Sequence, residues 1–252
     1  MADVIFHGNC LDGCYSGMVT FTFLNLLARY CKRPLLDIIG EFFKAAKNNL
    51  VDDPTVVPLG KEFMEVPNTL PEEFWLYDKT NSFHSLTPGT FTEGFLKTML
   101  KTEHRVVILV DCYAENTENL YKLAAAYQYV LIIDHHTTAL ESLKAANSKH
   151  PNILYYFTEE KCAFELTIDF FSRFFGFDKW CPPKLFEYFV TASKYVRAND
   201  LKLNETFRTK HFTLGIFDLN LEMSSHNSGL FRRLAAVDLE LTLSRGRGTT
   251  WQ

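Results

Sequence analysis

VLIIDHH, residues 130–136, decides how this chain reads. Val130, Leu131, Ile132 and Ile133 form a short apolar run, mostly β-branched, of the kind buried on both faces of a parallel sheet. Asp134, His135 and His136 follow without a spacer. A carboxylate and two imidazoles are costly to bring near a core, so their placement needs a cause. Two other runs share the design: Val4-Ile5-Phe6 ends in His7, and Val106-Val107-Ile108-Leu109-Val110 ends in Asp111. Each run precedes a segment that reads as helix, over 13–29, 116–127 and 138–148, giving the β-then-α alternation of an α/β fold. In open α/β sheets ligands bind beyond the carboxyl ends of the strands, so these polar groups are expected to meet at one edge. Converging carboxylates repel unless cations lie between them. A mixed Asp/His set suits Mn²⁺, Mg²⁺, Fe²⁺ or Co²⁺ better than a thiolate-rich zinc site.

Further along, Ile153 to Phe157 reads as a fourth strand, and 161–175 and 183–197 as helices. Phe164, Phe170, Phe171, Phe174 and Phe175 fall at helix-core positions and are read as core, not as a base-stacking platform. Residues 50–92 carry Asp52-Asp53-Pro54, Pro58, Pro67, Pro71 and Pro88-Gly89 without sustained periodicity. That segment reads as an insertion too poor in periodic apolar residues to close a core of its own. The expected organisation is an α/β domain over 1–205 with a helical extension over 206–252.

The 252-residue chain has a formal net charge of −4, which argues against capture of extended duplex DNA. No apolar run approaches the ~18–20 residues of a membrane span, and no basic leader precedes Val4, so the expected setting is cytoplasmic. Six cysteines, at 10, 14, 31, 112, 162 and 181, fit no compact disulfide framework. Cys10 and Cys14 could join His7 in a zinc site, but no second Cys/His pair follows at ligand spacing.

Four segments in order carry a resemblance: IFHGNCLDGCYSG from residue 5, LVDCYAENTENL from 109, LIIDHHTTA from 131 and KLFEYFVTASKYVRANDLKL from 184. Together they resemble the DHH phosphoesterase superfamily, in the branch whose first motif is His-x-Asn-Cys-x-Asp-Gly, over roughly residues 4 to 205. The resemblance implies a parallel sheet flanked by helices and a centre of two divalent metal ions, Mn²⁺ first among the candidates. Asp111 would bridge the ions. His7 and Asp12 would reach one or both, and His135 and Asp200 would complete the second. Asp134 would orient an imidazole, and His136 would face the phosphate. Two-metal sites of this kind share a nucleophilic water and stabilise the oxygens of an in-line displacement. The implied activity is hydrolysis of a phosphoester or phosphoanhydride in a small or short oligonucleotide substrate.

The residues also admit plainer roles. Asp12 could be the N-cap of the helix that follows, and Asp200 ordinary punctuation at a helix end. The chain also departs from the resemblance. Cys10 stands where many relatives carry a further aspartate, and Thr137 and Thr138 stand where a basic residue often follows Asp-His-His. Lys161-Cys162-Ala163 replaces a small Ser-Gly-Ala patch. The C-terminal substrate domain of catalytic relatives, with its Gly-Gly-Gly-His-like motif, has no counterpart before Gln252. Two functions follow as expectations: a metal-dependent phosphoesterase whose cleft is completed by a second copy or a partner protein, or a fold-retaining subunit without turnover. The clustered charges favour the enzyme, since a scaffold has no need of them. The 50–92 connection and the helix near Gly229 are the expected docking elements, as neither looks necessary to the βα core.

Overall fold

The computed structural model describes residues 1–46, 57, 59, 62–75, 81–87, 89–203, 207–218 and 228–248. Its centre is an all-parallel sheet of five strands: β1 (Ala2–His7), β2 (Ser82–Leu86), β3 (Val106–Val110), β4 (Tyr129–Asp134) and β5 (Ile153–Phe157), in the spatial order β2-β1-β3-β4-β5. Eleven α-helices are described, α1 (Leu11–Tyr30), α2 (Leu35–Ala45), α3 (Glu93–Met99), α4 (Thr117–Ala126), α5 (Thr137–Lys149), α6 (Ala163–Phe175), α7 (Phe177–Trp180), α8 (Pro183–Asp200), α9 (Phe207–Asp218), α10 (Ser228–Ala235) and α11 (Leu239–Gly248), with a short 3-10 helix at Glu72–Trp75. No described helix is long and apolar enough to cross a membrane.

Strand alternation divides the core in two. Val4, Phe6, Ile108, Val110, Leu131, Ile133 and Leu154 face a large cluster with α1 and α6, while Ile5, Val107, Leu109, Val130, Ile132 and Ile153 face a smaller one with α3, α4 and α5. All five residues of β3 are buried, each contributing about 1.5–3 kcal/mol by leaving water, which anchors the strand that delivers Asp111. Helix α1 lies under the sheet with every residue from Leu11 to Leu27 buried. Its serine and threonine hydroxyls are satisfied within the helix: Ser16 donates to the Asp12 carbonyl at 2.7 Å, Thr20 to the Ser16 carbonyl at 3.0 Å and Thr22 to the Met18 carbonyl at 2.9 Å. The phenylalanines of α6 pack on it, with Phe171 stacked on Phe23 at 4.0 Å between centroids. Phe164, Phe170, Phe171, Phe174 and Phe175 are all buried. The six cysteines are free thiols.

Two expectations change. The 50–92 segment is not only a connection, because SFHSL within it forms β2, an edge strand in register with β1 (Val4 beside Phe83, His7 beside Leu86). Its polar residues suit the edge of a sheet, which is why they hid the strand. Residues 50–56, 58, 60, 61, 76–80 and 88 of that expectation lie outside the described residues, as does the tail 249–252. The helix near Gly229 is part of the core as well: in α10, Phe231 is 2 % exposed and packs its ring against Phe6, Phe21 and Phe83.

Candidate metal centre

The carboxyl ends of β1, β3 and β4 lie side by side, and the chain leaves each with a ligand-bearing residue. After β1 it turns through Gly8 and Asn9, the latter at φ 64°, before Cys10 caps α1 by accepting from the Gly13 amide at 3.1 Å. The N-cap is therefore Cys10, not Asp12, which occupies the first turn. Gly13 is required by contact: a Cβ there would stand 2.1 Å from the His7 carbonyl oxygen, so only glycine lets α1 start against the strand end. After β3, Asp111 continues the ladder by donating its amide to Ile133 at 3.0 Å, yet sits at φ 55°. Left-handed backbone at a residue other than glycine is strained and collects at functional sites.

The side chains form two clusters joined at Asp111. In the first, His7 Nδ1 and Asp111 Oδ2 are 3.3 Å apart, Cys10 Sγ lies 3.2 Å from the same oxygen, and Cys10 Sγ lies 3.3 Å from His7 Nδ1. In the second, His135 Nε2 stands 3.3 Å from Asp111 Oδ1, 3.5 Å from Asp12 Oδ2 and 3.5 Å from Asp200 Oδ2. One oxygen of Asp111 thus serves each cluster. His7, Asp12, Asp111, His135 and Asp200, drawn from segments nearly two hundred residues apart, are brought together at one end of the sheet.

Asp134 stands outside these clusters, while His136, with Nδ1 3.9 Å from Asp111 Oδ1, forms a further ligand-spaced group with Asp111 and His135. Asp134 Oδ1 accepts the amides of His135 at 2.7 Å and His136 at 3.2 Å, and pairs with His136 Nδ1 at 2.7 Å. An ionised carboxylate only accepts, so Nδ1 carries the proton in that contact. Asp134 therefore fixes both the turn and the His136 ring. Asp12 has a second task invisible in the sequence: its Oδ2 accepts from the Ala163 amide and its Oδ1 from the Phe164 amide, each at 2.7 Å. It caps α6, whose own N-cap residue Cys162 makes no side-chain cap bond.

Electrostatically the cluster is unbalanced. Burial, then the charges of Asp111 and Asp200, push the Asp12 carboxyl well above its usual range. Burial also raises Asp200, which ends α8 where the helix dipole already disfavours a negative charge. Asp111 goes the other way: burial opposes its ionisation, but its contacts with His135 and His7 outweigh that and hold it low. Burial pushes the Cys10 thiol far up, and the charge of Asp111 adds to this. The bond to Asp134 raises His136 to about 9. Asp111 Oδ1, Asp134 Oδ2 and His135 Nε2 are buried without a hydrogen-bond partner; Asp111 Oδ1 and His135 Nε2 face each other at 3.3 Å without bonding geometry. Orphaned oxygen and imidazole nitrogen atoms facing a common point are what divalent ions require, and the donor set fits them.

A cleft of about 320 Å³ opens beside the clusters, bounded by His7, Asp111 and His136 and walled by Leu86, Phe91 and Tyr113. Among the described residues that line it there is no lysine or arginine. Sequence reasoning weighed Cys10 beside His7 only together with Cys14, as a zinc site, and set it aside, whereas the structure groups Cys10 with His7 and Asp111; it missed the cleft wall supplied by the end of β2. The chain has no significant match among protein-family models, curated proteins or solved structures.

Proposed function

We propose that the chain is a metal-dependent phosphoesterase of the DHH type, hydrolysing a phosphoester or phosphoanhydride in a small phosphorylated or short oligonucleotide substrate. The observation that carries this reading is the Asp111 carboxylate, one oxygen of which faces each ligand cluster. A bridging carboxylate between two sets of ligands is the signature of a two-ion site. His7 and Asp111 would hold one ion, with Asp12, Asp111, His135 and Asp200 around the other. Bound divalent ions of the Mn²⁺, Mg²⁺, Co²⁺ or Fe²⁺ class would lower the pKa of a water and neutralise charge on the phosphate oxygens.

The chain's own residues do the rest. Asp134 holds Nδ1 of His136 at 2.7 Å, which fixes the ring at the edge of the cleft and, without metal, raises His136 to about 9. In a cleft without lysine or arginine, His136 is the side chain placed to donate a hydrogen bond to a phosphate oxygen or a proton to a departing alkoxide. Asp12 ties the second cluster to the start of α6, so the site is held by two helices as well as the sheet. Leu86, Phe91 and Tyr113 offer an apolar wall to the organic part of a substrate.

The test is metal analysis of the purified chain together with a hydrolysis screen over a chromogenic diester, short oligonucleotides, a cyclic dinucleotide and polyphosphate. Bound metal with turnover on at least one substrate is expected. A chain that takes up no divalent ion defeats the reading; one that binds two ions and hydrolyses nothing, alone or with added copies, turns it into a subunit without turnover.

A further inference from the structure

We propose that Cys10 is a direct thiolate ligand at the first cluster, beside His7 and Asp111, and that the two metal positions are therefore chemically unequal. This inference rests on the two-ion reading above and deepens it. Cys10 Sγ, His7 Nδ1 and Asp111 Oδ2 form a nearly equilateral triangle with sides of 3.2, 3.3 and 3.3 Å. Ligands at bond lengths of ~2.0–2.3 Å around one tetrahedral ion stand roughly 3.3–3.7 Å apart, so the three atoms already have nearly the spacing of a shared ion. Three protein ligands leave the fourth position open, which is the pattern of a catalytic and not a structural site. His7 and Asp111 both border the cleft through which a substrate would reach it.

Capping alone does not call for sulfur at this position. The Gly13 amide could be capped by serine, threonine, aspartate or asparagine, all of which are preferred N-caps, whereas cysteine is not. Packing does not call for it either, because Cys10 is partly exposed, unlike the buried Cys14 one turn later. Among the described residues Cys10 is the one cysteine that shares a ligand-spaced cluster with other donors. In the metal-free geometry its thiol donates to Asp111 Oδ2. On binding, the thiol proton leaves to solvent, the sulfur lone pair goes to the ion, and Asp111 Oδ2 is released to do the same.

The consequence is a difference in metal preference. A nitrogen, sulfur and carboxylate set selects Zn²⁺, Fe²⁺ or Co²⁺, while the second cluster, three carboxylates and one imidazole, suits Mn²⁺ or Mg²⁺. The first position is thus the exception to the Mn²⁺ expected for the site as a whole.

The experiment is titration of the chelated full-length chain with Co²⁺, followed by near-ultraviolet absorption and by metal analysis at each step. Wild type should develop an intense sulfur-to-cobalt charge-transfer band that saturates with one of two bound equivalents. Cys10→Ser, which keeps the cap, should lose the band and still bind the other equivalent. Cys10→Asp should also lack it and should shift the first position toward Mn²⁺, with Zn²⁺ affinity down by at least ~10-fold. Circular dichroism establishes folding of each variant, and either one suffices. An unchanged band in a folded Cys10 variant, or two bound Co²⁺ without a band in wild type, overturns the role of Cys10 alone. Absence of any Co²⁺ binding overturns it together with the two-ion reading.

Discussion

The two ends of the sheet each bury an aspartate among histidines, and they treat it in opposite ways. At the amino end, Asp3 is fully buried, with Oδ1 3.2 Å from His84 Nε2 and 3.0 Å from His104 Nδ1, and Oδ2 accepting from Thr102 and Tyr127 at 2.8 Å each. Burial would raise its pKa, but the bonds from His84, Thr102 and Tyr127 and the charge of His104 outweigh it and leave Asp3 lowered. At the carboxyl end, Asp12 and Asp200 are raised, and Asp111 Oδ1, Asp134 Oδ2 and His135 Nε2 have no hydrogen-bond partner. Of the amino-end set only His104 Nδ1 lacks bonding geometry, whereas the carboxyl end leaves two carboxylate oxygens and a ring nitrogen unpartnered, so the same residue types make a nearly closed network in one place and an open one in the other. A closed network stabilises the fold. An open one costs stability until something else completes it, and that contrast points to the carboxyl end as the functional end.

The sharpest break in the comparison is Asp111→Asn. With the bridging carboxylate reduced to an amide, bound metal should fall below detection and hydrolysis by at least ~10²–10³-fold, read by metal analysis and initial rates. Unaltered metal content in this variant would sink the bridging role.

Next in size is the same exchange made at each end. Asp3→Asn leaves His84, His104, Thr102 and Tyr127 facing an amide and should cost about 3–5 kcal/mol in chemical denaturation. Asp200→Asn should leave the metal-free protein as stable as wild type or more so, because it removes a charge that burial already disfavours. Equal losses at both ends would abolish the distinction between closed and open networks.

Ligand-linked stability sharpens it further. Saturating Mn²⁺ at about 100 times its Kd should add ~2.7 kcal/mol to wild type, while Asp111→Asn should gain little in the same thermal melt. A shift of similar size in both proteins would place the ion elsewhere.

The smallest expected effects are those of pH on the chelated protein. Asp200 is raised from 3.8, so the folded state binds the proton more tightly and its contribution to stability grows as pH falls toward 3.8. Asp3 is lowered, so its contribution is present above 3.8 and is lost as pH falls through its folded value. His136 is raised from 6.5 to about 9, so its pairing with Asp134 is fully present below 6.5 and is lost as pH rises through about 9. With the His136 side chain 43 % exposed, solvent screening holds that term to roughly 1 kcal/mol or less. Comparison of wild type with His136→Gln between pH 6 and 10 should show the alkaline loss in wild type alone.

Much of the carboxyl end is legible in the amino-acid sequence. His7, Asp111 and Asp134-His135-His136 each follow a near-continuous apolar run, and parallel strands deliver whatever follows such runs to one edge. Asp12 and Asp200 are legible from the motifs in which they stand. The amino end is not legible at all: Asp3 lies within β1, ahead of its apolar run, and Thr102 and Tyr127, whose hydroxyls donate to it, come 99 and 124 residues later, marked by no periodicity. β2 is hidden because an edge strand needs only one paired side and tolerates the polar residues of SFHSL.

What the sequence determined by itself was the parallel sheet and the meeting of polar groups at its carboxyl edge, because hydrophobic runs and their endings are local properties of the chain. Only the tertiary structure decided how those groups divide. It set one oxygen of Asp111 toward each cluster, drew Cys10 Sγ to 3.2 Å from that carboxylate and turned Asp12 to cap α6, 151 residues away. Those are distances between side chains carried by different elements. They depend on how α1, β3, β4 and α8 pack, which no local pattern encodes.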